Sequence, residues 1–202
     1  GKATVPLPIR CGLAHAQFET IHPFLDGNGR VGRLLITLMM CEEGALSRPL
    51  LYLSVFLKAN RAEYYDRLTA IRHQGHWEQW LKFFLRGVSL TARAATRTAH
   101  DIVTMREAHR NAIMKNAKAL KLLDSLFQQP MVSPNRIAEI VGCSHPTAVK
   151  LARDMEARGW LREMTGFERN RLYRYQPYME LFHRETVEAT FAALPDNGLA
   201  TT

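Results

Sequence analysis

His22-Pro23-Phe24-Leu25-Asp26-Gly27-Asn28-Gly29-Arg30-Val31-Gly32-Arg33 is the stretch on which the reading of this chain turns. Glycines 27, 29 and 32 stand before and inside the start of a segment whose apolar residues, Leu34, Leu35, Leu38 and Met39, recur at helical spacing. The first backbone N–H groups of a helix lack intrahelical partners, so a glycine-rich helix start offers a seat for an anion. Gly27 and Gly29 can take positive φ angles, which would curl successive amides into a concave nest. Arg30 and Arg33 are expected in the first turn, where the helix macrodipole disfavours a cation unless an anion is bound. Three positions apart, their guanidinium groups share one side of the helix and can each grip phosphate oxygens. The plainer alternative pairs both arginines with acidic side chains such as Glu42 or Glu43.

His22 and Asp26 add reactivity to this cradle. An imidazole can take a proton from a hydroxyl near neutral pH, and a carboxylate beside phosphates can hold Mg²⁺. Pro23 keeps His22 out of helical geometry, so the preceding helix is expected to end there and carry the imidazole on a loop. His15, His73 and His76 lack such company and read as surface or packing residues. The spacing Gly27-x-Gly29-x-x-Gly32 also fits a dinucleotide-binding fingerprint, but that needs a preceding strand and an acidic residue about twenty positions later. A helical pattern precedes these glycines, and Tyr52, Leu53 and Ser54 occupy the later positions.

Outward from this segment, apolar residues at helical spacing run from Leu7 to about Val88 and close on the face Trp77, Trp80, Leu81, Phe84 and Leu85. Residues 89–116 read as one long polar helix. After it come a helix near Ala117–Phe127, a break at Pro130, a helix opened by Ser133-Pro134, a turn at Gly142 and a helix from Ser144 to Arg158. Two strand-like runs follow, Trp160–Met164 and Arg171–Tyr175, then a last helix and a tail. The expected fold is mainly α. It has a helical core over 1–90, a connector helix over 91–116, a small helix and ribbon unit over 117–180, and a C-terminal helix and tail over 181–202.

The 202 residues carry a formal charge of +8, which favours an anionic partner without choosing among nucleotides and nucleic acids. No run of eighteen apolar residues supports a membrane span, and the start lacks the pattern of a secretory signal. Cys11, Cys41 and Cys143 are scattered, against a disulfide framework or zinc site, and a cytoplasmic location is expected.

The run His22–Arg33, with Ala14-His15-Ala16-Gln17-Phe18-Glu19-Thr20-Ile21 before it, resembles the signature of the Fic family. The likeness extends more loosely through Asn60-Arg61-x-x-Tyr64-Tyr65 and Trp77-x-x-Trp80 to about residue 90. Members are all-helical and mostly AMP transferases. The resemblance implies an adenylyltransferase moving AMP from ATP to a Ser, Thr or Tyr hydroxyl of a target protein, with release of pyrophosphate. His22 would be the general base and Asp26 would position Mg²⁺ on the phosphates. Gly27, Asn28 and Gly29 would line the anion hole, Gly32 would belong to the same nucleotide-binding segment, Arg30 and Arg33 would hold the β and γ phosphates, Phe24 would anchor the loop, and Tyr64 would lie near the adenine. Members carry further helices and a flap ahead of this motif, so the expectation is the C-terminal portion of such a catalytic domain. Action on itself and a homodimeric state stay open.

Residues 117–175 give the element order of a winged helix-turn-helix. That resemblance implies that Ser144, His145, Thr147, Lys150 and Arg153 face DNA, with Arg169 and Arg171 on the wing. Protein contacts are the alternative, since Asp154 and Glu156 share the helix. Two other readings of the whole chain follow: a DNA-binding regulator that senses nucleotide without turnover, and an enzyme that transfers UMP, GMP or a phosphate-linked alcohol instead of AMP.

Overall fold

The structure is a computed structural model that describes residues 5–46, 53–167 and 170–182. The described residues are mainly helical and fall into two compact units, one up to Thr96 and the other from Arg97 onward. Arg169 and the C-terminal stretch beyond residue 182 lie outside the described residues.

The first unit is built from α1 (Leu7–Ile21), α2 (Asn28–Glu42), α3 (Leu53–Ala59), α4 (Arg61–Gln74) and the first half of α5 (Trp77–Ala112). Pro8 lies in the first turn of α1, where its missing N–H costs nothing. α4 stops at Gly75, whose left-handed backbone returns its N–H to Ile71. The aromatic core, with Phe56, Trp80 and Phe84 fully buried, fixes how these helices meet. Trp80 donates its indole N–H to the Gly12 carbonyl at 2.9 Å, which ties α5 to α1. Gly12 allows this approach, because a Cβ there would stand 3.0 Å from the Phe84 ring.

α5 unites what the sequence pattern reads as two helices. The apolar face at Trp77–Leu85 and the polar stretch after it are one element, since only Gly87 could weaken it and Gly87 is packed against the buried ring of Phe56. The helix ends at Ala112, short of residue 116, because Asn116 starts the next helix instead by accepting the Ala119 N–H at 3.1 Å.

The second unit contains α6 (Ala117–Leu126), β1 (Met131–Val132), α7 (Pro134–Val141), α8 (His145–Ala157), β2 (Leu161–Glu163) and β3 (Tyr173–Tyr175), and residues 176–182 are helical. Ser133 caps α7, and Gly142 turns the chain in the left-handed conformation. The strands form an antiparallel sheet in the order β1-β3-β2, with Val132 opposite Tyr173 and Leu161 opposite Tyr175. β1 is too short to show alternation, so the sequence pattern reveals only its two partners. Leu122, Leu123, Ile137, Ala152 and Tyr175 fill the core. The polar half of α5 is not merely solvated. Arg106 and Arg110 both reach Asp124, at 2.9 and 3.0 Å, and hold its carboxyl below the usual range through hydrogen bonds and charge. His109 stacks on Trp160 at 4.0 Å and pairs with the Tyr175 hydroxyl at 2.6 Å.

Candidate functional site

The end of α1 and the start of α2 bring the glycine-rich segment together. His22 closes α1 in the left-handed region, at φ 51° and ψ 56°, and its backbone N–H returns to Phe18 at 2.9 Å. A non-glycine residue in that conformation is strained by about 1 kcal/mol, and the turn it makes leaves the imidazole exposed. The next residues stay in place because Asn28, 2% exposed, grips Phe24 twice. Its Oδ1 accepts the Phe24 N–H at 2.9 Å and its Nδ2 donates to the Phe24 carbonyl at 2.5 Å. The Phe24 ring is half-exposed and leans on Phe18, so the loop is anchored by the asparagine side chain rather than by burial of Phe24.

Gly27 is the N-cap of α2, at φ 83°, and no side chain caps that helix. The Arg30 and Val31 amides turn back to the Gly27 carbonyl, which leaves the earlier amides as the outward-facing end of the dipole. The other two glycines are glycines for a different reason. Gly29 and Gly32 have ordinary helical backbone, and their missing side chains make room for neighbours. A Cβ at Gly32 would lie 2.6 Å from Glu19 Oε1, 3.1 Å from Phe18 and 3.2 Å from His15, all on α1. A Cβ at Gly29 would lie 3.2 Å from Arg33 Nη1.

Asp26 accepts the Gly27 N–H at 2.6 Å, and its other oxygen stands 3.4 Å from Arg30 Nη2. Both side chains are open to solvent. Arg33 begins the second turn of α2, not the first, and is half-buried. The two arginines therefore differ: one is a solvated arm at the rim, the other a half-buried cation. Neither pairs with Glu43, which takes Arg10 at 2.9 Å.

Arg33 also lines a cavity of about 290 Å³ with Ser54, Leu57, Lys58, Arg61, Tyr64 and Tyr65. Tyr64 is buried, and its hydroxyl meets His15 Nε2 at 3.0 Å. Burial, then the nearby Glu19 carboxylate, push the phenol's pKa upward. The ring that opens to the cavity is Tyr65, half-exposed, with the Arg61 guanidinium 5.6 Å from its centroid. Arg61 and Tyr65 entered the sequence reading only through the loose likeness over residues 60–65, and Lys58 carried no sequence signal.

His15 is fully buried. It bridges the Gly32 carbonyl, 2.9 Å from its Nδ1, to Tyr64, and its ring stacks on Trp80 at 6.0 Å. It is thus a packing histidine that locks α1, α2 and α4 around the loop. Burial lowers its pKa, an effect only partly offset by the Gly32 carbonyl and Glu19.

In the second unit, Ser144 is the N-cap of α8 and its hydroxyl meets that of Thr147 at 2.9 Å. His145, Lys150 and Arg153 are exposed. The structure gathers His145 and Arg153 with Ser133, Asn135, Asn170, Arg171 and Tyr173 around a cavity of about 530 Å³ that has no acidic residue among the described residues of its lining. Ser144, Thr147 and Lys150 do not line it.

An uncapped helix start is thus flanked by an exposed imidazole, an exposed carboxylate and two arginines, which makes it the candidate site. Residues 2–40 match the Fic/DOC family. It is 54% identical over 35 residues to a probable protein adenylyltransferase of Aquifex aeolicus, which covers 17% of this chain and 11% of that protein. A Caenorhabditis elegans protein adenylyltransferase is 44% identical over 59 residues, 29% of this chain and 10% of its own length. One of Culex quinquefasciatus is 31% identical over 101 residues, 47% of this chain and 19% of its own. The chain therefore spans between about a tenth and a fifth of the length of these relatives. Among the described residues no helix is long and apolar enough to cross a membrane.

Proposed function

We propose that this chain carries the nucleotide-handling core of a protein adenylyltransferase, which moves AMP from ATP to a Ser, Thr or Tyr hydroxyl of a target protein. The observation that carries the reading is the uncapped start of α2 set between the exposed His22 and the Arg33 cavity. The first amides of α2 and Gly27 receive the α and β phosphates, where a short approach needs glycine. Arg33 holds the far phosphates from its half-buried place, and Arg30 closes on them from the rim. His22 takes the proton from the target hydroxyl as its oxygen bonds to the α-phosphorus, and the bond from that phosphorus to pyrophosphate breaks. Transfer of this kind depends on positioning and on charge already in place, which the pinned loop supplies.

A single exposed carboxylate suits Mg²⁺, which keeps several waters and is held largely by substrate phosphates. Asp26 would hold it, and the ion would neutralise phosphate charge when bound. The cavity beside Arg33 fits a nucleobase against Tyr65, with Tyr64 forming its floor.

Incubation with Mg²⁺ and ATP labelled at either the α or the γ phosphate, in the presence of candidate acceptor proteins, tests the reaction type. Label on protein from the α position alone supports AMP transfer, and label from the γ position alone refutes it. Competition by UTP and GTP ranks the bases.

A second reading concerns α8. The cavity with His145, Arg153 and Arg171 favours contact of the second unit with nucleic-acid phosphates, as in a winged helix-turn-helix that binds DNA. Loss of duplex binding on Arg153→Ala, with a shallower salt dependence, is the expected result. A chain that bound DNA tightly and labelled no protein would be a nucleotide-sensing regulator instead.

A further inference from the structure

Glu19 lies on α1 one turn before His22, is only 6% exposed, and has one side-chain oxygen, Oε1, without a hydrogen-bond partner. A buried carboxylate left this way is costly unless a nearby cation compensates it. Arg33 on α2 is the cation that stands nearby. Glu19 Oε1 and Arg33 Nη1 converge on the same point beside Gly29, at 3.9 and 3.2 Å from where a Cβ would be. His15 and Tyr64 both feel the negative charge of Glu19 and the positive charge of Arg33, so the four side chains share one buried electrostatic environment under the loop. Arg72 on α4 holds the Glu19 backbone, donating to its carbonyl at 2.6 Å, which fixes where the carboxylate can stand.

We infer that Glu19 is a positioning residue for phosphate recognition. Its charge keeps the Arg33 guanidinium on the side of α2 that faces the uncapped amides. This rests on the phosphate-site reading given above. Arginine has a long stem with much rotational freedom, and a fixed counter-charge removes that freedom before the ligand arrives, so less is lost on binding. A methyl group at Gly32 would displace the carboxylate, and one at Gly29 would press on the Arg33 guanidinium. Glu19 touches no reacting atom in this account and acts only through Arg33.

The test is a double-mutant cycle read by calorimetry with inorganic tripolyphosphate as the probe, on the full chain, using Glu19→Gln, Arg33→Ala and the pair. Glutamine keeps the shape and removes the charge, and unfolding curves check that it folds. The expected result is an affinity about fivefold lower for Glu19→Gln, an effect that vanishes when Arg33 is already alanine. Unchanged or tighter binding by Glu19→Gln overturns the inference, and so does an equal loss with and without Arg33, which marks a purely structural role. Failure of the unsubstituted chain to bind tripolyphosphate refutes the phosphate site itself and the inference with it.

Discussion

Replacing Gly32 by alanine sets two opposing effects against each other, and the structure decides the sign. In an exposed helix the change would stabilise by about 1 kcal/mol, because alanine loses less backbone freedom. At Gly32 the new methyl would stand 2.6 Å from Glu19 Oε1, 3.1 Å from Phe18 and 3.2 Å from His15. A carboxylate at the end of a flexible chain could give way on the surface, but Glu19 is buried and its backbone is held by Arg72. The imidazole cannot retreat without losing the Gly32 carbonyl or Tyr64, at about 1 kcal/mol for each bond. Overpacking of this kind costs about 1 to 3 kcal/mol, and one lost bond and the helix gain cancel, so the net is a destabilisation of about 1 to 3 kcal/mol. Urea unfolding followed by fluorescence of Trp77 and Trp80 in a Trp160→Phe background reads the first unit. A midpoint that stays the same or rises would refute the claim that this glycine exists for close packing of α1 on α2.

Arg33→Ala should weaken ATP binding by about 1 to 3 kcal/mol in calorimetry, the loss expected for a charge-assisted phosphate contact, and unchanged affinity would remove Arg33 from the site. Asn28→Ala should cost about 1 to 2 kcal/mol in unfolding experiments, since both of its bonds to Phe24 go; it should also reduce label transfer more than it reduces stability. An equal effect on both would deny the loop-pinning role. His15 should make the first unit acid-labile. Its folded-state pKa is lowered by burial, so the unfolded chain binds a proton first, and stability is full above the ordinary histidine value and falls as pH drops through the lowered one. The groups facing it are the charges of Glu19 on its own helix and Arg33 on α2 and the neutral Tyr64 phenol on α4. Denaturation midpoints that do not change between neutral and mildly acidic pH would contradict this.

Much of the helical architecture was legible because Pro, Ser and Gly mark its borders. Ser133-Pro134, Gly142 and the Ser144 cap bound α7 and α8 where the pattern expects them. α5 was not legible as one element, since periodicity changes at about residue 88 from a core face to a polar one while the backbone continues. β1 escaped because two residues carry no alternation. At the site, the end of α1 at His22 and the glycine-rich start of α2 follow from Pro23 and Gly27. The work of Gly29 and Gly32 does not, because close packing and positive φ call for the same letter and only the neighbours distinguish them. His15 and Glu19 looked like ordinary helix residues; their burial and their partners on α2 and α4 depend on tertiary packing that no local pattern records. Asn28 was read as a lining residue of the anion hole, and the structure shows its side chain spent on Phe24.

In the proposed reaction, His22 performs proton transfer beside a phosphate seat that it does not itself build. ATP labelled at the α phosphate, offered with Mg²⁺ and acceptor proteins to the unsubstituted chain and to His22→Ala, measures it most directly when nucleotide affinity is determined in parallel. His22→Ala is expected to bind ATP as before and to transfer at least about a hundredfold less label, the scale of a lost general base. Equal labelling by both proteins would contradict it.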